Sequence, residues 1–128
     1  MAERHRASSG SPFERPIGFS RAMRAGDRVL VSGTGPVWPD GSCDPDPYAQ
    51  ACRSFEIALR ALEELGGSAG DVVRTRMYLL DAADWEAVGR AHGGLFEAVR
   101  PAATMVVVAG LLDPRWRVEV EVEAIVGS

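Results

Sequence analysis

Arg100-Pro-Ala-Ala-Thr-Met-Val-Val-Val-Ala-Gly-Leu-Leu-Asp-Pro-Arg-Trp-Arg-Val-Glu-Val-Glu-Val-Glu-Ala-Ile-Val126 is the stretch whose reading decides the fold. Two strand-like runs flank a turn-prone Asp113-Pro114. In the second run, side chains alternate as strand geometry requires. Val118, Val120, Val122 and Ala124 point one way, and Arg117, Glu119, Glu121 and Glu123 point the other. Neighbours on one face of a strand stand about 7 Å apart. The three carboxylates therefore repel one another and need water or cations opposite them. The valines need a cover.

The covers lie upstream. Asp46-Pro47 has the chemistry of a helix start, with Asp as N-cap and Pro at the first helical position. From Tyr48 the apolar residues Ala51, Cys52, Phe55, Ala58, Leu59, Leu62 and Leu65 recur at helical spacing, and Gly66-Gly67 ends the run. Cys52 on that stripe reads as a small core residue. A second helix is expected from Asp84 as cap, with Trp85, Val88, His92, Leu95, Phe96 and Val99 on its buried side and Pro101 as its stop. His92 there reads as a core or interface histidine. Between the helices, Asp71 to Leu80 is a strand in which Val73, Thr75, Met77 and Leu79 alternate with Arg74, Arg76, Tyr78 and Leu80.

Toward the N-terminus, Phe19 to Met23 alternates weakly, Ala25-Gly26-Asp27 reads as a hairpin turn, and Arg28 to Gly33 is an apolar strand. Gly33 and Gly35 bracket Thr34; they fit either a bulge or a backbone that a ligand approaches closely. Residues 1–14 are expected to be a flexible tail, with His5 inert, and 15–128 one domain. The expected order is strand, strand, an optional short strand near Asp40-Gly41, helix, strand, helix, strand, strand. Val72 to Ala109 is then a β-α-β unit with parallel strands. Both helices lie on one face of a mixed sheet. The other face carries Arg74, Arg76, Glu119, Glu121 and Glu123, and no third layer within the chain covers it. Such a face finds a partner, so a homo-oligomer with pockets at its seams is expected.

Composition narrows the chemistry. The chain of 128 residues carries a formal charge of −4, which argues against a nucleic-acid-binding surface. All 14 basic residues are Arg. Lysine chemistry, whether a Schiff base, pyridoxal phosphate or a P-loop, is excluded. Cys43 and Cys52 are not in a metal spacing, and His5 and His92 are too scattered for a zinc site. No apolar run is long enough to span a membrane and no signal peptide opens the chain, so a cytoplasmic location with reduced thiols is expected.

From about Gly18 to Val126 the chain resembles the Rid (YjgF-like) family of reactive-intermediate enamine/imine deaminases. The residues that carry the resemblance are Gly18-Phe-Ser-Arg-Ala22 with Val31-Ser-Gly33, the helix from Pro47, Asp71-Val-Val-Arg-Thr75, and Arg100-Pro-Ala-Ala-Thr104 with Val120-Glu-Val-Glu-Ala-Ile125. The resemblance implies an α+β, chorismate-mutase-like two-layer fold, a homotrimer whose sheets form a central barrel, and three clefts between subunits. It implies that the last strand lies beside the strand at Asp71 to Leu80. It also implies hydrolysis of short-lived enamines or imines to ketone and ammonia without metal or cofactor.

Carried over by position, the resemblance implies that Gly33 offers a backbone N–H to substrate and that Glu121 positions water. Phe19 stands where the family usually has Tyr, so the ring stays and the hydroxyl is lost. Thr34 follows the Gly donor, and Met105 stands where many members have Cys. Ala103 stands where deaminase members have the Arg that grips the substrate carboxylate, a contact worth about 1.5–3 kcal/mol as a charged hydrogen bond. Arg100 precedes Pro101 and points elsewhere. Arg76 is the candidate for a relocated cation, with a salt bridge to Glu119 or Glu121 as its competing employment. Three functions follow: deamination of a non-standard imine or enamine, trimeric small-molecule binding without turnover, and RNA cleavage. The negative charge and the lack of a histidine pair argue against the last.

Overall fold

A computed structural model describes residues 3–127. Its sheet has six strands: β1 (Arg4–Ala7), β2 (Ala22–Ala25), β3 (Arg28–Thr34), β4 (Val72–Leu79), β5 (Ala102–Val107) and β6 (Val118–Ile125). Three α-helices intervene: α1 (Glu14–Ile17), α2 (Pro47–Glu64) and α3 (Trp85–Phe96). The strand order is β1-β2-β3-β6-β4-β5. β4 and β5 run parallel across α3, and the other neighbouring strands pair antiparallel. The last strand therefore lies between β3 and β4, as expected.

The alternation in β6 is realised residue by residue. Val118, Val120, Val122 and Ala124 are buried, while Glu119, Glu121 and Glu123 are half-buried on the opposite side. α2 covers the valines with Ala51, Phe55, Ala58 and Leu62, and α3 adds Val88, Ala91 and Phe96 to the same core. α2 starts as its sequence requires, with the Asp46 carboxylate accepting from Ala49 N at 2.9 Å. It ends at Gly66, whose φ of 91° is available to glycine without steric cost.

Six expectations need correction. Arg4–Ala7 does not fray but pairs along β2, and Glu14–Ile17 forms one further helical turn; Met1, Ala2 and Ser128 lie outside the described residues. No short strand forms between β3 and α2. Val73 does not share a face with Thr75, because a bulge between Val72 and Arg74 puts Val72 inward instead. Asp84 precedes α3 without capping it, since its carboxylate is held by Arg117 at 2.9 and 3.0 Å; Asp81 caps the preceding turn at Ala83 N. Trp85 and Leu95, placed on the buried side of α3, are exposed. α3 also ends at Phe96, before Pro101, and Arg100 takes a left-handed φ of 52° between them.

Candidate functional site

The open face of the sheet is organised by cross-strand register. Glu123 lies opposite Arg74, Glu121 opposite Arg76 and Glu119 opposite Tyr78. Opposite charges across antiparallel strands favour this pairing. Arg76 Nη1 stands 4.0 Å from Glu121 and 3.6 Å from Glu123, and Arg28 Nη2 stands 3.7 Å from Glu123. Arg76 is thus engaged by Glu121 and Glu123 rather than by Glu119. The Tyr78 hydroxyl donates to Glu121 Oε1. That bond, with some burial, holds the Tyr78 phenol above its ordinary range, so it stays protonated at neutral pH.

Gly33 sits where β3 bulges against β6. Val31 pairs with Val122 and Thr34 with Val120, which leaves Ser32 and Gly33 together opposite Glu121. A Cβ at Gly33 would lie 2.8 Å from Glu119 Oε2, so glycine here admits the carboxylate. Burial pushes the Glu119 carboxyl above its ordinary value; Arg21 pulls it back and Glu121 adds to the rise. Arg21 donates through Nη2 to the Gly33 carbonyl. Gly35 has a different purpose. Its missing Cβ would fall 2.4 Å from the Trp116 ring, so the indole packs flat on the backbone.

Gly33, Arg76 and Glu121 therefore meet around one patch of the open face. The other predicted site residues do not join them within the subunit. Thr34 is turned into the core, with its hydroxyl donating to the Ser32 carbonyl at 2.7 Å. Phe19 lines a separate hollow with Arg6, Glu14, Arg15 and Met23. In the parallel β4–β5 register Ala103 lies beside Thr75 and Met105 beside Met77. Thr75 and Met77 are buried under the helices, so Ala103 and Met105 belong to that side of the edge strand. Met105 Cε stands 3.6 Å from where a Gly89 side chain would begin, which fixes it against α3.

Three groups near these residues escaped the sequence reading. Tyr78 was legible as an open-face residue, but its bond to Glu121 depends on the pairing of strands 43 positions apart. Arg21 lay inside a recognised segment, but its partner is set by the β3 bulge. Gln50 lies outside the apolar stripe expected for α2 and is nevertheless fully buried. His92 behaves as a core residue. It packs edge-on to Phe55 at 5.6 Å and shares a 2.8 Å hydrogen bond with Thr75, and burial pushes its imidazole below the ordinary value of 6.5. Among the described residues no group of three or more His, Cys, Asp or Glu side chains could hold a metal ion. No helix among them is long and apolar enough to cross a membrane.

The subunit is a two-layer α+β fold with helices on one sheet face and an ion-paired, bulged second face. The chain belongs to the YjgF/RutC/Rid family: the family model described as Endoribonuclease L-PSP matches residues 13–126. It is similar to an uncharacterized protein of Streptomyces coelicolor, 47% identical over 96% of this chain and 92% of the relative. It is also similar to the 2-iminobutanoate/2-iminopropanoate deaminase of Salmonella typhimurium, at 36% identity over 84% of each chain. Among solved structures it matches a member of the YjgF/YER057c/UK114 family from Mycobacterium tuberculosis with a TM-score of 0.89 and 39% identity, covering 97% of this chain and 100% of that one.

Proposed function

We propose that the protein is a cofactor-independent hydrolase that converts a reactive imine or enamine to a ketone and ammonia, in clefts formed where subunits of a homotrimer meet. The Glu121 carboxylate carries this reading. It lies opposite the Gly33 bulge, held by the Tyr78 hydroxyl and facing Arg76. In the proposed reaction Glu121 orients a water and takes its proton as the oxygen adds to the imine carbon. Glu121 passes that proton to nitrogen, giving the carbinolamine; it then moves the hydroxyl proton to the amine, the C=O bond forms as the C–N bond breaks, and ammonia leaves. The Gly33 N–H binds the substrate and the Phe19 ring packs on it. Met105 lies beside Ala103 at the cleft, and Thr34, turned into the core, braces the Gly33 bulge through the Ser32 carbonyl.

The substrate class is set by what Ala103 lacks. Ala103 is exposed on β5 and offers no charge, and Arg76 is engaged by two glutamates, so a substrate without the usual carboxylate fits best. Assembly is supported by the open sheet face and by β5, of which only Met105 is even half-buried. Exposed Leu30, Val106, Val107 and Ile125 lie on these strands. A cytoplasmic setting is supported by two free cysteines, Cys43 and Cys52.

The test is ammonia release from freshly generated 2-aminoacrylate and from uncharged imines, with Glu121→Gln as control. Release from an uncharged imine that disappears in the variant is the expected result. No release above buffer from any of these substrates sinks the reading and leaves the second one, a trimeric binding protein without turnover, which Ala103 favours. RNA cleavage has the least support: the chain is acidic, half-buried His92 packs against Phe55 and Phe96, and His5 lies apart from it on the edge strand beside Glu3.

A further inference from the structure

A cavity of about 780 Å³ lies on the other side of the β3 bulge, between the N-terminal segment, the β3–α2 connection and one flank of α2. Its walls include Phe13, Trp38, Ile57 and Trp116. Glu121, Arg76, Ala103 and Met105 do not line it; of the residues expected to bind substrate only Thr34 does. Ser8 to Pro12 form part of the wall, and they precede the region matched by the family model, residues 13–126. That wall is secured at both ends. β1 pairs with β2 before it, and after it the Glu14 carboxylate accepts from Ser9 N at 2.7 Å and Ser8 Oγ at 3.0 Å.

The polar groups of the lining are mostly donors. Arg21, Arg53 and Arg60 face it against one carboxylate, Glu64. Arg53 is satisfied: it stacks on Trp38 at 3.9 Å, donates to the Val37 carbonyl and pairs with Glu56. Arg21 and Arg60 have no carboxylate within salt-bridge distance among the described residues. Arg21 Nε and Trp116 Nε1 lie behind this wall, buried and without an acceptor among the described residues. Arg60 has no carboxylate partner, Arg21 is held by the Gly33 carbonyl and its charge is only partly offset by Glu119, and two indoles stand beside them; an aromatic anion matches that lining.

We infer that this cavity is a ligand site within each subunit for a small anionic aromatic molecule, with its ring against Trp38 and Trp116 and its anionic group toward Arg21 and Arg60. The site is independent of the imine chemistry proposed for the sheet face. The probe pair is 1-naphthylacetate and its uncharged amide, titrated against the full chain by calorimetry and tryptophan fluorescence. The acid is expected to bind once per subunit, at least tenfold more tightly than the amide. Ile57→Trp, which pushes a ring from the wall into the ligand's space, and Arg60→Glu, which reverses an exposed charge and leaves the core intact, are each expected to weaken it at least fivefold. Glu121→Gln is expected to leave it unchanged. No binding at millimolar acid, equal affinity for the amide, unchanged affinity in Arg60→Glu, or loss in Glu121→Gln each overturns the inference. Should Ile57→Trp not fold, the Arg60→Glu and amide comparisons still decide it.

Discussion

Replacing Gln50 by leucine tests the least apolar element of the core. The Gln50 side chain is fully buried on α2 and joins three chain segments. Nε2 donates to the Asp44 carbonyl at 2.7 Å and to the Arg115 carbonyl at 2.9 Å, and Oε1 accepts from Arg117 N at 2.6 Å. Leucine has nearly the same volume, so the cavity contribution is small. The loss is electrostatic: two carbonyls and one amide lose their partners together. Each buried orphan costs about 1–3 kcal/mol. Asp44 and Arg115 are exposed residues whose carbonyls water can reach after a small movement, so the low end applies to them. The total is about 3 kcal/mol. At about 3–4 °C per kcal/mol for a domain of this size, the melting temperature falls by about 10 °C. Calorimetry of both proteins at one fixed subunit concentration reads this directly, because assembly links stability to concentration. Gln50→Glu keeps the acceptor, loses the donors and buries a charge, so at neutral pH it is expected to be worse than leucine and to recover on acidification. A leucine variant within 1 kcal/mol of the parent refutes the reasoning and assigns the three backbone groups other partners.

Tyr78→Phe removes the hydroxyl that holds Glu121; deaminase turnover is expected to fall about tenfold with KM nearly unchanged, the low end of a charged hydrogen bond's value, and an unchanged kcat removes Tyr78 from the reaction. Ala103→Arg restores a cation on β5, and pyruvate affinity by calorimetry is expected to rise at least tenfold; no gain means that Ala103 does not face the binding cleft. His92 is held neutral by burial, its folded pKa lying below the ordinary 6.5. Its contribution to stability is complete above pH 6.5 and is lost as pH falls from there through the folded pKa. Urea denaturation across pH 5–7 is expected to show that slope, with His92→Gln flattening it; an equal slope in the variant assigns the pH dependence to other groups.

Elements written in local pattern were legible. The valine–glutamate alternation gave β6, Asp46-Pro47 gave the start of α2, and Gly66 gave its end, because each depends on neighbours within one turn or one pleat. β1 was not. Arg4-His5-Arg6-Ala7 contains one apolar residue and becomes a strand only because β2 offers an unpaired edge. Asp84 read as a cap because Arg117, which captures it, lies 33 residues away. Val73 read as inward because a bulge leaves no mark in the alternation until the partner strand is known. Within the candidate site, residue types were legible and adjacency was not. Glu121 and Arg76 came together through register, while Ala103 and Met105 fell on the opposite side of their strand from them.

The position of β6 has a consequence for the chain during its synthesis. The strand that separates β3 from β4 follows both of them in the chain. Until Val118–Ile125 leaves the ribosome, β3 and β4 share no neighbour, and each presents an open edge to whatever other nascent strand is near. The sheet cannot close from its N-terminal strands as the chain emerges; it closes only once β6 is free to enter between them. Removing the final strand from a shortened gene would not trim a margin of this protein but split it down the middle.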